Sequence, residues 1–213
     1  MKSGDVKGML RAAKEAVKVC ERECSVDPMT TAKAYDEAAV ACVWLGDIHG
    51  SLKYLFGALS VGQQISDLDG LHSTIANIAE LHYQAARRVD EPLRTASLER
   101  ALAYYDQAAS ICKAQRDIAN GHAVRAYAAL VKSALGRYKE AKHDLRDTIA
   151  WCEENDSGLL ALALNNLGVV LLDSDASRTR ASKVLTRAKK LAKEAGDTLL
   201  LGTIEGNLVI ARR

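Results

Sequence analysis

Five segments of the sequence carry a small residue at a nearly constant interval, and this repeat limits the possible folds more than any other feature. The repeated positions are Ala13, Ser51, Ala101, Ala141 and Ala181, separated by 38, 50, 40 and 40 residues. A larger apolar residue follows each of them after four residues. Offsets of this kind keep side chains on one face of an α-helix. Because a short helical repeat cannot bury its apolar face alone, consecutive repeats must stack on one another.

A second kind of segment lies between these striped helices. Four of these segments begin after an aspartate, at Asp67, Asp117, Asp156 and Asp197. Asparagine recurs ten residues after three of the aspartates, at Asn77, Asn166 and Asn207. Glycine-containing turns, such as those at Gly46 and Gly136, then lead into the next striped helix, because glycine takes a positive φ past a helix end without a clash. The sequence therefore predicts pairs of helices joined by tight turns.

The repeat predicts an all-α, right-handed solenoid of antiparallel helix pairs that forms one elongated body over residues 1–213. Its expected parts are an N-terminal helical segment, four helix pairs and a final helix, at 1–27, 30–66, 70–115, 118–154, 158–195 and 199–213. The small stripe residues and Gly168 are expected where two helices cross. Larger side chains there would increase the distance between the helix axes beyond its usual ~8–10 Å. The second pair is ten residues longer than its neighbours. We place the extra length in a surface loop at residues 86–95. Such a loop either has no function, since added loop length costs little stability, or contributes to a binding site.

Composition agrees with this fold and narrows the function. The chain is 48% hydrophobic but only 5% aromatic, which favours helix packing through Ala and Leu over a β-sandwich. The sequence has neither an apolar run long enough to span a membrane nor the apolar core of a signal peptide, so we expect no membrane association and a cytoplasmic location. The net charge of +2 does not indicate a polyanionic partner for the whole chain.

No motif of a catalytic or metal site is recognisable. The sequence has no glycine-rich phosphate loop, no Gly-x-Ser-x-Gly elbow and no His-Glu-x-x-His helix. Cys20 and Cys24 share a helical face, but no nearby His–Cys pair completes a tetrahedral metal site, so the five cysteines are expected to pack as small hydrophobes. We therefore predict a non-catalytic protein without metal or cofactor.

The segment 178–194 is strongly basic, with seven Arg and Lys residues against a single acid, Glu194. Its apolar stripe leaves these cations on the outer side, where a solvated surface is the simpler interpretation. Docking of nucleic acid or of an acidic partner is the alternative. Because the segment has no aromatic residues on which bases stack, nucleic acid is not an expected partner.

Two short stretches resemble the tetratricopeptide repeat (TPR) family. Leu-Gly-Arg-Tyr-Lys-Glu-Ala at 135–141 is similar to the turn and second-helix entry of that family, and Asn-Asn-Leu-Gly at 165–168 is similar to its first-helix signature. The repeat length and the aspartates resemble the extended variant found in cell-polarity adaptors and in bacterial regulators of the maltose-activator type. The resemblance runs from about residue 10 to 210. It departs from the family pattern in lacking most first-helix aromatics, and a closing proline is present only at Pro28.

The resemblance implies that the first helix of each pair lines a concave groove and that the recurring asparagines point into it. An amide has two donors and one acceptor, so it can bind a peptide backbone with little regard to sequence. The groove residues implied in this way are Asn77, Glu80, Tyr83, Gln84, Tyr127, Asn165, Asn166, Val169 and Asn207. Acidic residues such as Asp36 and Glu37 in the N-terminal half favour a peptide that is basic at one end and apolar at the other. The two-lysine, two-asparagine clamp of chaperone-binding relatives is not visible.

These features predict a protein-interaction scaffold that binds a peptide or a helix of a partner protein in its groove. Two alternatives to this prediction stay open. In the first, the chain is a regulatory or ligand-sensing segment of a larger signalling or transcriptional protein. In the second, it is an assembly module that forms homo-oligomers through the apolar final helix at 199–213.

Overall fold

The computed structural model of the protein describes residues 3–23, 26–64, 70–155, 157–174 and 178–212. These ranges form ten α-helices and no β-strand. The helices are α1 Ser3–Arg22, α2 Pro28–Trp44, α3 Ile48–Gln64, α4 Leu71–Ala86, α5 Leu93–Gln115, α6 Ile118–Ala134, α7 Tyr138–Asn155, α8 Ser157–Asp173, α9 Arg178–Glu194 and α10 Thr198–Arg212. Within the described ranges, no helix combines the length and the apolar character that crossing a bilayer requires.

Aspartate side chains cap the first turns of several helices. The carboxylate of Asp117 accepts a hydrogen bond from the backbone N–H of Asn120 at 3.1 Å, and that of Asp197 accepts one from Leu200 at 2.9 Å. Asp27 and Asp47 cap α2 and α3 in the same way. Each cap satisfies a backbone donor that the helix itself leaves unpaired. Asp67 and Asp156, after which two of the predicted segments begin, lie outside the described residues, as does Cys24.

Glycine ends three helices and reverses the chain within three residues. Gly46, Gly136 and Gly196 have φ angles of 75°, 75° and 70°. In each case the residue after the glycine donates its N–H to a carbonyl five residues earlier, for example Arg137 to Lys132 at 2.8 Å. This pattern closes the last helical turn and requires a left-handed backbone, which glycine adopts without steric cost. The helices on either side therefore run antiparallel.

The chain divides into two compact units, Met1–Gln115 and Arg116–Arg213. In the first unit, α2 packs between α1 and α3, and α4 packs between α3 and α5. In the second unit, consecutive helices pack on one another, and α8 also contacts α6 and α10. Each unit is thus a stack of antiparallel helices, as the repeat predicts. That the two units continue one solenoid stays a prediction.

All five small stripe residues lie in the interior of their units: Ala13, Ser51, Ala101, Ala141 and Ala181. The Ser51 hydroxyl donates to the Ala39 carbonyl at 3.0 Å, which ties α3 to α2 at their crossing. Gly168 is in equally close contact with α9, since a Cβ atom there would lie 2.5 Å from Cγ of Leu185. Small residues thus stand where two helices approach closely.

The extra length of the second pair is only partly a loop. The structure joins α4 to α5 through residues 87–92, and Leu93 already begins α5, so the expectation of a loop that extends to Thr95 is wrong. The Glu91 carboxylate accepts the backbone N–H of Thr95 at 3.2 Å and so satisfies a donor in the first turn of α5. The insertion therefore lengthens α5, which has 23 residues, as well as the turn before it.

Candidate peptide-binding surface

A pocket of about 260 Å³ opens between α2 and α4 in the first unit. We call it the α2–α4 pocket. One wall consists of the exposed apolar side chains Val40, Val43 and Trp44 of α2, and Trp44 is 61% exposed. Ser51 and Leu55 of α3 form part of its lining and are buried in the interior of the unit. The pocket therefore joins a surface of large apolar side chains to the core beneath it.

The other wall of the α2–α4 pocket is polar and comes from α4. It includes Asn77, Glu80 and Gln84, three of the groove residues that the sequence predicts. The Glu80 carboxylate accepts hydrogen bonds from the Gln84 amide at 3.1 Å and from the Tyr105 hydroxyl at 3.0 Å. Asn77 is exposed one helical turn before Glu80. A fixed carboxylate and an exposed amide thus face an apolar wall.

Asp36 lies on the face of α2 that carries Val40 and Val43, since residues four and seven apart share one side of a helix. It is half-buried, and its Oδ1 atom has no hydrogen-bond partner among the described residues. Burial raises the pKa of the Asp36 carboxyl from 3.8 to about 6, because removal from water disfavours its charged form. This half of the molecule therefore holds an acidic group that a basic ligand would stabilise.

The asparagines of the second unit form a chain of hydrogen bonds across three helices. The Asn207 amide donates to Asn165 Oδ1 at 2.9 Å, Asn165 donates to Asn166 Oδ1 at 3.2 Å, and Asn166 donates to the Ala126 carbonyl at 2.9 Å. Asn166 is only 1% exposed, and Asn165 is also buried. As placed, these two amides offer almost no surface to a peptide. The donor of Asn166 joins α8 to α6, and Asn165 accepts the bond from Asn207 that joins α8 to α10.

The remaining predicted groove residues belong neither to the α2–α4 pocket nor to this chain of asparagines. Tyr83 and Val169 are half-buried on α4 and α8, and Tyr127 is exposed on α6. The structure thus brings the predicted residues together as two separate groups, one open and one closed.

The structure also bears on the other candidate sites. Several cations of the basic helix α9 have acidic partners: Arg187 pairs with Glu153 at 2.9 Å, and Lys189 pairs with Glu205 at 2.7 Å. These pairs reduce the positive charge that an acidic ligand would meet. In the described part of the chain, no cluster of three or more His, Cys, Asp or Glu side chains is placed to hold a metal ion.

Sequence reasoning missed the apolar wall of the α2–α4 pocket. It selected polar side chains of the first helices and passed over Val40, Val43 and Trp44. A signal was present in the second half of α2, where all residues from 38 to 44 are apolar. One buried stripe does not need so many apolar residues, so a second apolar face remains there for another contact.

Comparison with solved structures shows which known proteins share this architecture. Nearly identical TPR-like repeats of a protein described as a kinesin light chain, from Podosopora anserina, match with a TM-score of 0.68 and 13% identity, over 92% of this chain and 90% of that chain. BtubC from P. vanneervenii matches with a TM-score of 0.68 and 18% identity, over 97% of this chain and 87% of that chain. This chain has the fold of the tetratricopeptide repeat proteins. The fold implied by the sequence resemblance is thus confirmed.

The TPR fold is also found in Rap, which was solved in complex with the Competence and Sporulation Factor. Rap matches with a TM-score of 0.71 and 18% identity, over 98% of this chain but only 58% of the Rap chain. No protein-family model matches the sequence, and no curated protein does. At these identities the likeness of the TPR neighbours extends to the fold, and function has to be argued from the side chains of this chain.

Proposed function

We propose that the protein is a non-catalytic interaction module that binds a peptide or helical segment of a partner protein at the α2–α4 pocket. The observation that carries this proposal is the exposed apolar wall of α2, formed by Val40, Val43 and Trp44, opposite Asn77 and Glu80. Large exposed apolar surfaces on a protein are commonly sites of interaction. Tryptophan is enriched among the residues that contribute most to binding energy, so Trp44 is the expected centre of the contact.

The chemistry of the two walls defines the partner segment. An aliphatic or aromatic side chain would fill the space beside Val40 and Val43, while the Asn77 amide would bind the backbone next to it. The charged residue that lines the pocket is the acid Glu80, and the half-buried Asp36 lies on the neighbouring face. A Lys or Arg beside the apolar anchor would complement these carboxylates. We therefore propose a partner segment with an apolar anchor and at least one flanking cation.

This proposal assigns different roles to the predicted groove residues. Asn77, Glu80 and Gln84 contact the partner segment. Asn165, Asn166 and Asn207 instead hold the helices of the second unit together, because each amide donates a hydrogen bond within the protein. Tyr127 and Val169 have no assigned ligand contact.

The experiment uses tryptophan fluorescence. Trp44 and Trp151 are the two tryptophans of the chain, so Trp151→Phe leaves Trp44 as the only reporter. Random twelve-residue peptides displayed on phage are selected on the protein, and the enriched peptides are titrated as synthetic peptides. We expect sequences with an apolar anchor next to Lys or Arg, and a blue shift of Trp44 emission as the indole leaves water.

A matched pair of variants tests the location. Val40→Glu should weaken binding of the selected peptides at least tenfold, because it places a charge in the apolar wall. Ile118→Glu, which adds the same charge at an exposed apolar residue of α6, should change binding less than about twofold. Equal binding by wild type and Val40→Glu, or peptides that leave Trp44 emission unchanged, would contradict the proposal.

A further inference from the structure

The Glu80 carboxylate in the wall of the α2–α4 pocket is held by two neutral hydrogen-bond donors. Its Oε1 atom accepts from the Gln84 amide at 3.1 Å, and its Oε2 atom accepts from the Tyr105 hydroxyl at 3.0 Å. No Lys or Arg of the described ranges forms an ion pair with it. Because neutral donors orient a carboxylate without cancelling its charge, Glu80 presents an oriented negative charge to the pocket.

Tyr105 reaches this carboxylate from the interior of the first unit. It lies on α5 and is only 2% exposed, whereas the described residues that line the pocket belong to α2, α3 and α4. A ligand in the pocket would therefore contact Glu80 and not Tyr105. The Tyr105 hydroxyl would act on such a ligand indirectly, through the position of the Glu80 carboxylate.

Glu80 is an exception at its position in the repeat. The position lies thirteen residues after the aspartate that precedes each first helix. In the other four first helices it is occupied by an apolar residue: Val40, Leu130, Val169 and Ile210. The stacking of first helices therefore does not require a carboxylate at this position.

Tyr105 is an exception in the striped helices. The residue four positions after the small stripe residue is buried in each of these helices, and in the other four it is aliphatic: Val17, Leu55, Leu145 and Leu185. The packing of a striped helix thus needs no hydroxyl there. The two residues that depart from the repeat are bonded to each other. Since taking polar groups out of water is costly, their joint presence points to a function other than packing.

We propose that the Tyr105–Glu80 pair makes the α2–α4 pocket selective for an arginine in the partner segment. Glu80 contacts the arginine, and Tyr105 is a positioning residue that acts through Glu80. This inference rests on the proposed function, and it narrows the flanking cation of the partner segment from Lys or Arg to Arg.

The acceptor positions that remain on Glu80 favour arginine over lysine. A carboxylate has about four acceptor positions, two on each oxygen. The Gln84 amide uses one on Oε1 and the Tyr105 hydroxyl uses one on Oε2, so each oxygen can accept one more hydrogen bond. A guanidinium group donates two parallel N–H groups, one to each oxygen. An ammonium group is a compact point charge and does not match this arrangement.

The experiment repeats the phage selection on wild type and on Tyr105→Phe, which removes only the hydroxyl. Relative to the unselected library, peptides enriched on wild type should carry arginine beside the apolar anchor at least about five times as often as lysine. On Tyr105→Phe the anchor should remain, and the preference for arginine should fall below about twofold. Tyr104→Phe removes the hydroxyl of the neighbouring residue in α5. It is the matched control and should select like wild type.

Affinities separate positioning from a structural role. An enriched peptide is titrated by Trp44 fluorescence in three forms, with arginine, lysine or norleucine at the flanking position. Wild type should bind the arginine form at least about fivefold more tightly than the lysine form, and Tyr105→Phe should bind these two forms within about twofold of each other. An equal loss of affinity of Tyr105→Phe for all three forms would indicate a structural role and overturn the proposal.

The same selection distinguishes this inference from the proposed function. Peptides that share an apolar anchor but show no preference for arginine over lysine would overturn this inference alone. Failure to enrich any apolar anchor on wild type would overturn both. If circular dichroism shows that Tyr105→Phe does not fold, the double variant of Glu80→Val and Tyr105→Leu replaces it. That variant has the type of residue that the repeat carries at both positions, and it should likewise lose the preference for arginine.

Discussion

The two units place an asparagine at the same position of the repeat and give it opposite environments. Asn77 of the first unit is exposed at a pocket, whereas Asn166 of the second unit is buried and bonded to the Ala126 carbonyl. The helices around them differ in the same sense. The α2–α4 pocket separates the two first helices of the first unit, while α6 and α8 pack directly and are joined again by the Ser133 hydroxyl, which donates to Asp173 at 2.9 Å. Equivalent positions in the repeat thus place a side chain on the same face of its helix, but they do not determine its burial or its hydrogen-bond partners.

A single position explains part of this difference. Counted from the capping aspartates, Ala126 of the second unit corresponds to Asp36 of the first. The small Ala126 allows the next first helix to approach and its backbone carbonyl to accept a hydrogen bond. A carboxyl group at that position is costly to bury, because it loses water without gaining a charged partner. We infer that Asp36 helps to keep the first unit open where the second unit is closed.

The largest expected effect comes from the two asparagines. Asn166→Ala should lower the free energy of unfolding by about 2–3 kcal/mol, because it removes two buried hydrogen bonds and leaves the Asn165 amide without its acceptor. The matched change Asn77→Ala should cost less than about 0.5 kcal/mol, as is usual for an exposed side chain. Urea unfolding followed by circular dichroism measures both values. Similar losses for the two variants would mean that the units do not differ in the way described.

Two glycines offer a second contrast, within one unit. Gly168→Ala should destabilise the protein by about 2 kcal/mol, since the new methyl group would overlap the Leu185 side chain and force α8 and α9 apart. Gly206→Ala should instead stabilise it by up to about 1 kcal/mol, because alanine is the better helix former and nothing lies near the added atom. The midpoints of urea unfolding give both values. If Gly168→Ala proved neutral, the crossing would not be as close as the structure shows.

The fold could be predicted from the sequence because its determinants are local. Small residues at fixed intervals, glycine after the helix ends and aspartate before the helix starts each act within a few residues of the chain. The structure accordingly shows Asp117 and Asp197 as caps and Gly46 and Gly136 with positive φ. The all-α stack of antiparallel helix pairs follows from these positions, whereas the likeness to TPR proteins rested on the resemblance of residues 135–141 and 165–168.

The candidate site could be predicted only in part, because it depends on how helices distant in sequence pack. Nothing near Asn166 in the sequence shows that Ala126, forty residues earlier, presents its carbonyl. Nothing near Val40 shows that α4 stands away from α2 and leaves it exposed. The sequence reasoning named Asn77, Glu80 and Gln84 from their repeat positions, but the burial of Asn165 and Asn166 is a tertiary property that no local pattern carries.

The smallest expected effect tests Asp36 itself, through its dependence on pH. In the folded protein the pKa of this carboxyl is raised to about 6, so between about pH 4 and pH 6 the folded state binds more protons at Asp36 than the unfolded state does. The contribution of Asp36 to stability therefore falls as the pH rises through this window and stays low above it. Asp36→Asn, which has no charge to bury, should be about as stable as wild type near pH 4. At pH 8 it should be more stable by roughly 1 kcal/mol or less, since the carboxyl is partly screened by solvent.

The difference between the two unfolding curves at each pH isolates Asp36, because every other titrating group is common to both proteins. Glu37→Gln is the control, because it removes a negative charge from the exposed neighbouring position. Its unfolding free energy should differ little from that of wild type at either pH. If the difference in unfolding free energy between Asp36→Asn and wild type were the same at pH 8 and pH 4, the carboxyl would be solvated in the folded protein. The open form of the first unit would then need another cause, and the apolar wall of α2 is the next candidate, because Val40 and Val43 hold the space that an approaching α4 would have to fill.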